Sequence, residues 1–149
     1  MSHAVLFVCL GNICRSPLAE GVFRAIVDEA GLAERFAIDS AGTGAWHVGN
    51  PPDPRSIEIA AKHGIDISGQ RARQVEARDF ERFDTILAMD HNNLSSMKPM
   101  ARHGTATVRL FLNAPSQDVP DPYYGGPDGF EDVYQLVRAG GQKLLDDLT

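Results

Sequence analysis

A chain of 149 residues, 43% apolar and 23% charged, is the size of one domain with room for a hydrophobic core. Its formal net charge of −6 argues against a nucleic-acid partner, which requires a basic face to neutralise phosphates. No apolar run approaches the roughly eighteen residues of a membrane span, and Met1-Ser2-His3-Ala4 lacks the basic start of a secretory signal, so a cytoplasmic protein without a membrane partner is expected.

The elements alternate along the chain. Ala4-Val5-Leu6-Phe7-Val8 is a continuous apolar run, as in a strand buried on both faces. Gly11-Asn12 breaks it, Pro17 opens a helical pattern through Val27, and Gly31 ends that helix. Phe36 to Ala41 reads as a second strand, followed by a Gly/Pro-rich loop to Pro54 and a helix from Arg55 to His63 that stops at Gly64. A third strand is expected over Asp84–Met89, a short helix over Asn92–Met100 and a fourth strand over Ala106–Leu110. A long loop rich in Pro, Asp and Gly runs to about Asp128, and a closing helix covers Phe130 to Leu148.

Strands alternating with helices predict one α/β domain over residues 1–149: a four-stranded, twisted parallel sheet with helices on both faces. In such a sheet the loops after the strands gather at one edge, where ligands bind. The Cys9 loop, the Ser40–Pro54 loop, Asp90 and the loop around Asp121 are therefore expected to be neighbours.

The two cysteines, Cys9 and Cys14, are too close in sequence for a stabilising disulfide scaffold. The scattered histidines His3, His47, His63, His91 and His103 make no zinc-like spacing, so neither metal nor cofactor is expected. The informative stretch is Cys9-Leu10-Gly11-Asn12-Ile13-Cys14-Arg15-Ser16. In a strand-to-helix turn its backbone N–H groups can converge on an anion, with the positive end of the helix behind them. Arg15 adds a planar fork matched to two phosphate oxygens. Cys9 at the base of that cradle is favoured as the thiolate, its nucleophilic form, and the Ser16 hydroxyl can donate to its sulfur. Asn12 tolerates the left-handed conformation such a loop demands. A buried core cysteine beside an ordinary turn is the plain alternative, but about 0.008 Cys-x5-Arg-Ser matches are expected by chance in this composition.

The segment Cys9–Pro17 resembles the signature of the low-molecular-weight protein tyrosine phosphatases. So do, in order, Asp39-Ser40-Ala41-Gly42-Thr43, Trp46, Pro52-Asp53-Pro54-Arg55, Ala72-Arg73-Gln74, Met89-Asp90 and Asp121-Pro122-Tyr123-Tyr124, across nearly the whole chain. The resemblance implies a phosphatase that hydrolyses phosphotyrosine through a cysteinyl phosphate, without cofactor or metal.

Breaking a phosphate ester needs a general acid. The residues alone nominate Asp118, Asp121 and Asp128 equally, and the resemblance selects Asp121. It also implies that Trp46, Tyr123 and Tyr124 wall a slot for a flat ring, that the two tyrosines can be phosphorylated, and that Ser40 supports the loop through Asn12. Cys14 is implied to form a reversible disulfide with Cys9 that shields it from over-oxidation. One departure stands out: many members carry a histidine just before Ala-Arg-Gln, where this chain has Gln70-Arg71, and Gln70 is the substitute that hydrogen bonding would allow.

The expected partner is a phosphotyrosine protein, tyrosine kinases included, with the enzyme a monomer or weak oligomer. Some members leave the cell without a recognisable signal. Protein-arginine phosphatases share the cysteine loop but typically carry threonine in place of Ile13 and phenylalanine in place of Tyr123. Arsenate reductases of this fold need further cysteines downstream, and none follows Cys14. A non-catalytic phosphopeptide-binding module is the third alternative, but Cys9, Arg15 and Asp121 are all present.

Overall fold

A computed structural model describes residues 2–113, 116–123 and 128–149. Four parallel strands, β1 (His3–Cys9), β2 (Phe36–Gly42), β3 (Thr85–Ala88) and β4 (Thr107–Leu110), form a sheet in the order β2-β1-β3-β4. Alternate residues of the central strand serve two cores. Val5, Phe7 and Cys9 face one side with helices α1 (Arg15–Glu29), α2 (Pro54–Lys62) and α5 (Gly129–Leu148). Leu6 and Val8 face the other with α3 (Asp79–Arg82) and α4 (His91–Ala101), through Phe80 and Met97. Burial on both faces explains the unbroken apolar run of β1, each large side chain contributing about 1.5–3 kcal/mol.

Local signals set the helix ends. Gly31 adopts a φ of 72°, its N–H bonds the carbonyl of Asp28 and Leu32 N–H bonds that of Val27, a Schellman closure of α1. Asp53 caps α2 by accepting from Arg55 N–H, with Pro54 as the first helical residue. Asp90 caps α4 by accepting from Asn93 N–H.

The four expected strands and four helices are all present, within two or three residues of their expected limits. α1 begins at Arg15 rather than at Pro17, so Arg15 and Ser16 stand in its first turn. Two features were not expected. α3 is a single turn, too short to show a helical period. The long final loop contains a small antiparallel pair, β5 (Leu112–Asn113) with β6 (Ser116–Gln117).

Register fixes where the loops leave the sheet. Cys9 pairs with Gly42, Val8 with Ala41 and Ala88, and Ala88 with Leu110. The four carboxyl ends therefore share one edge. Val119 N–H then bonds the Met89 carbonyl at 2.7 Å, returning the final loop to that edge two residues before Asp121.

Candidate active site

The Cys9–Arg15 loop is turned inside out relative to an ordinary turn. The carbonyls of Cys9, Leu10, Ile13 and Cys14 point into the scaffold, accepting from the N–H groups of Thr43, Gly44, Asp53 and Leu18 respectively. Among the described residues nothing accepts a hydrogen bond from the N–H groups of Gly11 through Arg15. Buried donors of this kind require an acceptor, and a nest of them at a helix start suits an anion. Gly42 permits the packing, since a Cβ there would lie 2.8 Å from the Leu10 carbonyl oxygen and 3.1 Å from Asn12 N.

Asn12 holds the loop's shape. It takes a φ of 57°, left-handed backbone that asparagine tolerates. Its amide nitrogen donates to Ser16 Oγ at 2.9 Å and to Ser40 Oγ at 3.0 Å, and its Oδ1 accepts from Arg73 N–H at 3.0 Å. Both amide hydrogens are thus committed. Ser40 in turn donates to Glu20 Oε1 at 2.8 Å, and Arg24 Nε bonds the other Glu20 oxygen at 3.0 Å. Burial raises the pKa of Glu20 above the ordinary carboxyl range, opposed by the bonds from Ser40 and Arg24.

The Cys9 sulfur lies 3.0 Å from Ser16 Oγ. Ser16 Oγ accepts from Asn12, and its single hydrogen can point at that sulfur or at the more distant Ala41 carbonyl, 3.4 Å away. Arg15 is 3% exposed, and its Nη1 reaches Asp90 Oδ2 at 2.6 Å and the Val119 carbonyl at 2.9 Å. Its Nη2 lies 3.7 Å from Asp121 Oδ2. The raised Arg15 pKa keeps it a cation despite burial, through the negative charge at Cys9 and the bond to Asp90.

A cleft of about 150 Å³ opens above the loop. The Cys9–Arg15 loop lines it together with Trp46, His47, Asp121 and Tyr123. Trp46 is 73% exposed and Tyr123 39%, so two solvent-exposed aromatic side chains border a cleft that also holds the buried Cys9 and Arg15. Tyr124, expected beside Tyr123, lies outside the described residues. Cys9 and Cys14 are both free thiols, and burial first, then the negative charges at Asp53, Cys9 and Asp121, pushes Cys14 up to about 12.

The three acid candidates separate cleanly. Asp118 accepts from the backbone and ring of His91, away from the cleft. Asp128 is exposed immediately before α5 and makes no capping bond. Asp121 alone of the three lines the cleft. Gln70 does not take the place of the missing histidine. Its Nε2 donates to the Pro17 carbonyl, and it makes no bond to Asn12, Ser16, Ser40 or Glu20.

Sequence reasoning missed Glu20, and it gave no specific role to Gly42, His47 or the Asp53–Arg55 pair although it placed the Ser40–Pro54 loop at this edge. A signal for Glu20 existed: Ser16, Glu20 and Arg24 recur every fourth residue, on one face of α1.

The family model described as low molecular weight phosphotyrosine protein phosphatase matches residues 4–149. The chain belongs to this family. A low molecular weight phosphotyrosine protein phosphatase of Schizosaccharomyces pombe is 56% identical, covering 97% of this chain and 96% of its own. The crystal structure of YfkJ from Bacillus subtilis superposes with a TM-score of 0.92 at 44% identity, covering 99% of this chain and 95% of that one. The Drosophila arginine phosphatase superposes with a TM-score of 0.91 at 32% identity, covering 97% of each chain. The family that the Cys9–Pro17 motif implied is thereby borne out. No described helix is long and apolar enough to cross a membrane.

Proposed function

We propose that this protein hydrolyses phosphotyrosine on other proteins through a cysteinyl phosphate formed at Cys9. The observation that carries this reading is that Cys9, Arg15 and Asp121 line one cleft together with a loop whose N–H groups have no acceptor among the described residues.

The loop N–H groups and the Arg15 fork bind the phosphoryl oxygens and stabilise charge spread over them as the bond to the leaving oxygen breaks. Asp90 and the Val119 carbonyl hold Nη1 of Arg15, so the guanidinium is oriented before substrate arrives. In the first step the sulfur–phosphorus bond forms as the phosphorus–oxygen bond breaks, and Asp121 gives its proton to the departing phenolate. Oδ1 of Asp121 is occupied by Tyr123 N–H, which leaves Oδ2 toward the cleft as the proton carrier. In the second step Asp121 takes a proton from water, the water oxygen bonds phosphorus, and the thiolate departs with the Ser16 hydroxyl to steady it. Trp46 and Tyr123 flank the ring of the substrate tyrosine.

The likeness to an arginine phosphatase makes phosphoarginine the second reading. Ile13 in the cleft lining favours the aryl ester, because it offers an apolar contact rather than a polar partner for a guanidino group. The test is parallel hydrolysis of phosphotyrosine and phosphoarginine peptides by wild type and Cys9→Ser. Turnover of phosphotyrosine, abolished in Cys9→Ser with substrate binding retained, is expected. Normal turnover by Cys9→Ser, or a preference for phosphoarginine, overturns it.

A further inference from the structure

Arg55, on the first turn of α2, makes contacts that a surface ion pair alone would not explain. Its Nε and Nη2 grip the two oxygens of Asp53 at 3.0 and 2.9 Å. The remaining arm, Nη1, donates to the Tyr123 carbonyl at 3.1 Å. The flat guanidinium also lies 5.2 Å from the centre of the Tyr123 ring and 4.7 Å from that of Phe130. Tyr123 and Phe130 stand on either side of residues 124–127, so one side chain touches the chain at both flanks of that segment.

The other end of this contact is rigid. Asp53 is largely buried, caps α2, and bonds the Ile13 carbonyl through its own N–H at 2.8 Å. At the near end, Tyr123 N–H bonds Asp121 Oδ1 at 3.0 Å. A continuous path therefore runs from Ile13 in the cleft lining through Asp53, Arg55 and Tyr123 to the Asp121 carboxyl.

We propose that Arg55 is a positioning residue, which ties the segment carrying Asp121 to the Cys9–Arg15 loop and sets the distance between proton donor and leaving oxygen. The inference rests on Asp121 being the general acid. Only a planar, forked cation meets all these contacts at once; an ammonium supplies the charge without the fork or the flat face.

Arg55→Met and Arg55→Lys are compared with wild type and with Asp121→Asn, alone and combined, on aryl phosphates whose leaving phenols range from acidic to weakly acidic. In Arg55→Met, kcat/KM for phenyl phosphate is expected to fall roughly ten- to hundredfold, and for p-nitrophenyl phosphate less than about threefold. Arg55→Lys recovers only part of the loss. In the Asp121→Asn background, Arg55→Met costs less than about twofold, because no proton donor remains to be misplaced. Inhibition by inorganic phosphate stays within about twofold of wild type, and amide exchange at Tyr123 quickens.

Equal losses for all leaving groups, full rescue by lysine, an undiminished effect beside Asp121→Asn, or unchanged exchange at Tyr123 would each overturn the proposal. A wild type inert toward every aryl phosphate would instead defeat the phosphatase reading, and Tyr123 exchange would then decide the tie on its own.

Discussion

Nη1 of Arg15 lies 2.6 Å from Oδ2 of Asp90, across 75 positions of sequence. The same carboxylate caps α4 by accepting from Asn93 N–H through Oδ1. One residue thus orients a buried cation and starts the helix that follows β3. Asp90→Asn keeps a capping acceptor but loses the anion, whereas Asp90→Ala loses both. Asp90→Asn is expected to raise KM for aryl phosphates and to lose about 2–4 kcal/mol of stability, because the buried guanidinium is left unpaired. Asp90→Ala loses about 1 kcal/mol more from the missing cap. Denaturant unfolding and steady-state kinetics on the two variants check this, and equal stability of the pair would contradict it.

The two thiols respond differently to alkylation. Burial and the surrounding negative charges push Cys14 up to about 12, so it remains protonated near neutral pH. Iodoacetamide at pH 8 is expected to label Cys9 first, at a rate slowed by inorganic phosphate. Cys9→Ser is expected to stay unlabelled over the same period. Peptide mass spectrometry reads both sites, and rapid labelling of Cys14 in Cys9→Ser would refute the assignment.

Glu131, in the first turn of α5, accepts from Gln135, Lys62 and His63, which lowers its pKa from 4.5 to about 2. Its folded-state carboxyl ionises at lower pH than the unfolded one, so the unfolded chain binds more protons between those values. The stability it contributes is full above about 4.5 and is lost as pH falls through about 2. Glu131→Gln should therefore melt below wild type near neutral pH, with the difference closing across that window. Melting temperatures over the acid range measure it, and a gap independent of pH would exclude the ionised form as its source.

The elements nearest the site show how far sequence reading reaches. The Cys9-x5-Arg15-Ser16 spacing is local, and the strand and helix on either side of it announce themselves by their apolar pattern. Without the family resemblance, which selects Asp121, the residues alone leave it as one of three aspartates, because Asp118, Asp121 and Asp128 share a loop without periodicity. What separates them is the bond from Val119 to Met89 and the contact of Asp118 with His91. Gln70 is a question that the sequence left open. Its sequence position suggested a place in the Asn12 network, yet its amide donates to Pro17 while Glu20 and Arg24 close the network.

The sequence by itself determined the alternation of strands and helices, hence a parallel sheet with one functional edge, and the cysteine loop with its arginine and serine. These depend on period and spacing within a few residues, where propensity and side-chain pattern act directly. The tertiary structure alone decided which further groups hold that loop in shape: Glu20 on Ser40, Asp90 and Val119 on Arg15, and Arg55 between Asp53 and Tyr123. Most of these contacts join residues distant in the chain, and none is set by local propensity. They exist because the order β2-β1-β3-β4 and its register bring the strand ends together, and buried donors then take the acceptors within reach.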